Sequence, residues 1–172
     1  MSLRNILILG LLAPLYLAGC GHDDHDDHDH DHAGHGDHGA TSCDDSATDY
    51  VAFMTGISQG TANGAFTVTI TGAEPMMPMQ GENTWQLTLA DGDGVAVSGA
   101  TVVVTPDMPD HGHGTDPATF TATAGAEEGA YSVGPIPLQM PGVWRFSVQV
   151  TPAEGEADTA TLNVCAMAAS QG

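Results

Sequence analysis

Met140-Pro141-Gly142-Val143-Trp144-Arg145-Phe146-Ser147-Val148-Gln149-Val150-Thr151 is the stretch that decides the fold. From Trp144 on, large apolar residues (Trp144, Phe146, Val148, Val150) alternate with polar ones, the period of a strand with one face in a core. The Pro-Gly pair ahead of it marks a turn. Working outward, the same alternation returns in Leu162-Val164, in Trp85-Leu87-Leu89 and in Phe66-Val68-Ile70, with Gly, Pro and Asp punctuation roughly every 8 to 12 residues. Strands are expected at 49–55, 65–71, 84–90, 100–105, 118–123, 130–135, 143–151 and 158–165. No long 3.6-residue periodicity competes. The fold class is therefore all-β: an immunoglobulin-like β-sandwich of about 7 to 8 antiparallel strands, occupying residues 41–172. Trp85, Trp144, Phe66 and Phe146 read as core, and Met54 as a strand core filler.

The ends of the chain have different compositions. Residues 1–19 carry Arg4 as the only early charge and an apolar run from Ile6 to Leu17 interrupted by Pro14. That is too short to span a bilayer, and it has the proportions of a secretory signal. Its close, Leu17-Ala18-Gly19-Cys20, resembles a bacterial lipoprotein signal, which implies that Cys20 is lipidated and anchors the protein to a membrane in the cell envelope. By analogy with enterobacterial lipoproteins, Gly21 in place of an aspartate favours the outer membrane. The segment 20–40 holds His22, His25, His28, His30, His32, His35 and His38, seven of the chain's nine histidines, interleaved with aspartates. No core can form from such residues, so a disordered His/Asp-rich tail is expected. Imidazole accepts copper, zinc and nickel, and the carboxylates raise the local cation concentration. Protonation of imidazoles below about pH 6.5 would release the metal. A solvating spacer is the plainer reading of the same residues.

Charge excludes one class of partner. Twenty-two acids face Arg4 and Arg145 alone, so nothing could neutralise nucleic-acid phosphates. Cys43 and Cys165 bracket the domain, and in an exported protein two such cysteines are best paired. A bridge closing so long a loop is worth roughly 4 to 5 kcal/mol on the chain-entropy model. A free-thiol copper site made of the same two residues is the alternative.

Antiparallel strands place successive connections at alternate ends of a sandwich. By that parity the connections at 72–83, 106–117 and 136–142 share one end, together with Cys43, Cys165 and Met167. That end receives Met76, Met77, Met79, Met108, His111, His113 and Met140. The connections at 56–64, 91–99, 124–129 and 152–157 share the other, and they contain no Met or His. In Met108-Pro109-Asp110-His111-Gly112-His113-Gly114-Thr115 two imidazoles stand at i and i+2, on one side of an extended chain and about 7 Å apart at the root. Thioethers bind Cu(I) without deprotonation and imidazoles also accept Cu(II), so a mixed Met/His edge suits copper in an oxidising compartment. Proline beside the methionines argues for surface presentation over packing, although a solvated turn or a docking patch for another protein would use the same residues.

The runs 81–91 (GENTWQLTLAD), 100–115 (ATVVVTPDMPDHGHGT), 129–133 (GAYSV) and 138–148 (LQMPGVWRFSV) resemble the YtkA-like domain, related to the FixH family. The resemblance covers about 70 residues. It implies an exported immunoglobulin-like module found near genes for copper handling, cation efflux and cytochrome oxidase assembly, and it carries over Met108, His111, His113 and Met140 as candidate ligands. The His/Asp tail lies outside that pattern. No catalytic constellation is evident, since the domain's two histidines share one glycine loop with no nucleophile beside them. The expected function is non-enzymatic: a lipid-anchored cell-envelope protein that binds or buffers copper, exchanging it with a donor or acceptor protein. The alternatives are an adaptor whose methionine end docks a partner, or a zinc or nickel buffer acting through the tail.

Overall fold

The computed structural model describes residues 43–169. The expected leader at 1–19, the lipid anchor Cys20 and the tail histidines His22 to His38 lie outside the described residues. Among the described residues ten strands form: β1 (Ser58–Gly60), β2 (Phe66–Glu74), β3 (Gly81–Asp91), β4 (Thr101–Met108), β5 (His113–Gly114), β6 (Phe120–Thr121), β7 (Thr123–Ala124), β8 (Ala130–Leu138), β9 (Gly142–Thr151) and β10 (Asp158–Ala166). They build two antiparallel sheets. One has the order β1-β2-β3-β8-β7; the other has β10-β9-β4-β5, with β6 also on β4.

The alternation seen in the sequence decides which faces meet. Phe66, Val68 and Ile70 of β2, Trp85, Leu87 and Leu89 of β3, and Trp144, Phe146, Val148 and Val150 of β9 all point into one core, where Trp85 and Phe146 stack with centroids 4.3 Å apart. The all-β sandwich is thus as the sequence implied. Six strands run eight residues or more; the other four have two or three.

Two expected strands differ. Residues 49–55 make only an isolated parallel bridge, Val51 to Val164, and β1 forms later, at Ser58. Met54 consequently stands 63% exposed instead of filling the core. The expected strand at 118–123 is split: β6 pairs with β4, β7 pairs with β8, and the chain crosses from one sheet to the other between them. Neither change disturbs the parity, because 118–123 still makes one passage between the ends and 49–55 precedes all the other strands.

The register confirms which connections share an end. Gly81 pairs with Leu138, Asp107 with Arg145, and Ala166 with Gly142, so the β2–β3 turn, the chain after β4, the β8–β9 turn and the end of β10 come out together. Cys43 and Cys165 are joined, with Cα atoms 5.9 Å apart. At the opposite end Asp158 accepts hydrogen bonds from the Asn63 backbone and side chain, Ala65 N and Thr159 N. The Thr61 hydroxyl and these amides hold its pKa below the ordinary value.

Candidate metal-binding end

The two imidazoles lie on a tight reversal in place of the extended chain expected. The carbonyl of Met108 accepts from His111 N at 3.2 Å and from Gly112 N at 2.8 Å. Gly112 takes φ +67, a conformation that glycine adopts without strain. The chain then returns along β4 as β5, with His113 opposite Met108 and Gly114 opposite Asp107. His111 is therefore on the turn and His113 on the returning strand, both exposed. Their ring centroids are 5.9 Å apart. His113 also meets the ring of Trp144 edge-on at 6.0 Å, which places it over the open end of the core.

A latch holds this reversal from outside. Ser46 and Thr48 both donate to the carboxylate of Asp110, Thr48 at 2.7 Å. These hydroxyls, Ser46 first and Thr48 second, lower the Asp110 pKa. The segment that begins at the Cys43–Cys165 bridge is thereby fixed to the residue preceding His111. Arg145, the only Arg or Lys among the described residues, makes a bidentate pair with Asp107 at 3.0 and 2.6 Å, leaving no cation free there to repel a metal ion.

The methionines expected as one ligand set separate into three groups. Met108 is the last residue of β4 and is 1% exposed, continuing the inward row Val102, Val104, Pro106. It is core, contrary to the surface presentation expected from its proline neighbour: proline follows the strand's last inward position and does not turn that position out. Met140 is half-buried against the same core, and its carbonyl accepts from Trp144 Nε1 at 3.0 Å. Met76 and Met77, at 80% and 52% exposure, occupy the tip of the β2–β3 turn. Met79 is half-buried and bridges to Met167. Met167, which parity had placed at this end, was not singled out as a ligand; its pairing with Met79 depends on how β10 ends and has no local sequence signal.

Among the described residues, no group of three or more His, Cys, Asp or Glu side chains is arranged to hold a metal ion. The described part of this end therefore offers one exposed pair of imidazoles, with the methionines distributed between the core, the β2–β3 turn and the Met79–Met167 bridge. The crevice between the sheets, with a cavity volume of only about 20 Å³, is lined by Ile57, Val68, Trp85, Phe146 and other mainly apolar side chains, and it holds no acid/base pair.

A family model described as YtkA-like matches residues 62–149. Comparison with curated proteins and with solved structures gives no match.

Proposed function

The chain belongs to the YtkA-like family, and from that premise we propose that it is a cell-envelope metal-binding protein that captures and buffers copper, held to a membrane through Cys20. In this reading the tail histidines collect ions, the His111/His113 pair holds them at the domain, and a donor or acceptor protein exchanges them. The protein acts by binding, without catalysis.

One observation carries the reading: two exposed imidazoles with centroids 5.9 Å apart on a reversal fixed by backbone and by the Asp110 latch. An imidazole bonded at about 2.0–2.1 Å puts its centroid about 3.2 Å from the ion, so two rings on one ion have centroids roughly 5 Å apart at a tetrahedral angle and roughly 6.4 Å when linear. The observed spacing falls between these values, as two rings sharing one ion require. A pair of imidazoles suits copper better than it suits a hard cation.

Titration of the full chain and of a chain starting at Thr41 with Cu(I), Cu(II) and Zn(II) is the test. The shorter chain is expected to retain copper and to lose most zinc capacity. Absence of copper binding to it would refute a site on the domain, and zinc preference confined to the full chain would support a tail-based zinc or nickel buffer. The exposure of Met76 and Met77 favours a second reading, an adaptor whose methionine end docks a partner; such a protein would bind its partner equally with and without copper.

A further inference from the structure

We infer that Met79, Met167 and Met77 form a separate thioether site for a soft monovalent cation, Cu(I) or its analogue Ag(I), on the β10 side of the same end. The inference rests on reading this end as a metal-handling surface, but it uses none of the imidazoles.

The backbone around the pair is tightly held. Met79 and Met167 are direct partners in a parallel bridge. Met167 N donates to Pro78 O at 2.9 Å, and Gln80 N donates to Met167 O at 2.8 Å. Asn83, 1% exposed, clamps Met79 from both sides: its Oδ1 accepts from Met79 N at 3.0 Å, and its Nδ2 donates to Met79 O at 2.7 Å and to Gly81 O at 2.8 Å. Met167 follows Cys165, which is held by the disulfide, by two residues. A buried asparagine that bonds both the N–H and the carbonyl of one loop residue fixes that residue's position.

The side chains face outward. In β10 the inward row is Asp158, Ala160, Leu162, Val164 and Ala166, so Met167 continues the outer row that contains Cys165. Pro78 is fully buried, whereas its two neighbours, Met77 and Met79, are exposed and half-buried respectively. Met108 and Met140 belong to the core or pack against it, whereas Met77, Met79 and Met167 lie outside that cluster, the last two half-buried. Bridged backbones stand about 4.8 Å apart, close enough for two thioethers to meet one ion through bonds of about 2.3 Å to sulfur. Three neutral, polarisable sulfurs favour a soft cation over zinc, calcium or magnesium. Between this pair and His113 lie β9 and β4, so the two loci are about 14 Å apart at strand spacing.

The experiment uses the full chain with ¹³C-labelled methionine methyls, titrated with Ag(I), which does not change oxidation state. Single variants Met77→Leu, Met79→Leu and Met167→Leu assign the resonances. Met79 and Met167 are expected to shift together within the first equivalents, with Met77 following, ahead of the exposed Met54. Met167→Leu should abolish the early shift of Met79, and the double variant His111→Ala/His113→Ala should leave it intact. Movement of Met79 and Met167 no earlier than Met54, or loss of their shifts in the histidine variant, would overturn the site. Broadening by Cu(II) of the His111 and His113 signals, assigned with the histidine variant so that the tail imidazoles are told apart, reads the other locus independently, so failure of one does not imply failure of the other.

Discussion

Replacing Met108 distinguishes packing from ligation at the centre of the proposed metal-binding end. Its side chain is 1% exposed, and its methyl lies only 2.7 Å from where a Cβ on Gly142 would stand. Truncation to alanine removes a packed side chain from a floor that the two neighbouring strands cannot close, at a cost of about 2 to 5 kcal/mol. Against a typical total of about 5 to 15 kcal/mol this is a large fraction, corresponding to a Tm lowered by roughly 10 °C for a domain of this size. Met108→Leu keeps the volume and should cost under about 1.5 kcal/mol, while removing the sulfur. Thermal and urea unfolding without metal, followed by tryptophan fluorescence, give both numbers, because Trp144 lies beside the perturbed floor. At a temperature where both variants are folded, Cu(II) capture at His111 and His113 should be unchanged by leucine. An alanine cost below about 1 kcal/mol would refute the packed assignment, and lost Cu(II) capture in a fully folded leucine variant would show that the sulfur reaches the ion.

Three further outcomes follow from the geometry. Removing the Cys43–Cys165 bridge, which spans 122 residues, should lower stability by up to about 5 kcal/mol on the chain-entropy model, measured by urea unfolding of Cys43→Ser/Cys165→Ser; a loss under about 1 kcal/mol would mean the ends are held together by other contacts. The Asp110 carboxylate has its pKa lowered in the folded chain, so its latch on Ser46 and Thr48 is fully present above the ordinary aspartate value of about 3.9 and is lost as pH falls through the lower folded value. Amide shifts of Ser46 and Thr48 should therefore titrate below pH 3.9, and Asp110→Asn should abolish that titration; a midpoint above that value would contradict the hydrogen bonds. Gly142→Ala places a Cβ against the Met108 methyl at a residue with φ +137, and a cost of about 1 to 3 kcal/mol is expected in thermal unfolding; an unchanged Tm would contradict both the backbone strain and the contact.

Much of this was legible from alternation alone. Strand parity needs only the number of passages between two ends, so it survived the absence of a strand at 49–55 and the division of 118–123 between two sheets. Pairing of Cys43 with Cys165 followed from their places at the two limits of the domain. The depth of each methionine was not legible. Pro106 reads as a strand end, yet β4 continues through it, since its ring occupies an inward position opposite Phe146 and the inward row then reaches Met108. Met54 was misplaced for the opposite reason: the β-rich composition of 49–55 is not matched by a continuous partner, so its side chain stays outside. The meeting of Met79 and Met167 joins residues far apart in the chain, and only the clamp by Asn83 and the exit of β10 determine it.

The bridge between Met79 and Met167 also joins a turn of one sheet to the last strand of the other, while at the far end the bridge from Thr61 to Ala160 does the same. With the two layers tied at both ends of β10, they are held together along that edge. Amide exchange near Gln80 and Met167 should then be slow with or without cargo, and an arriving ion would meet ligand-bearing backbone that is already in position.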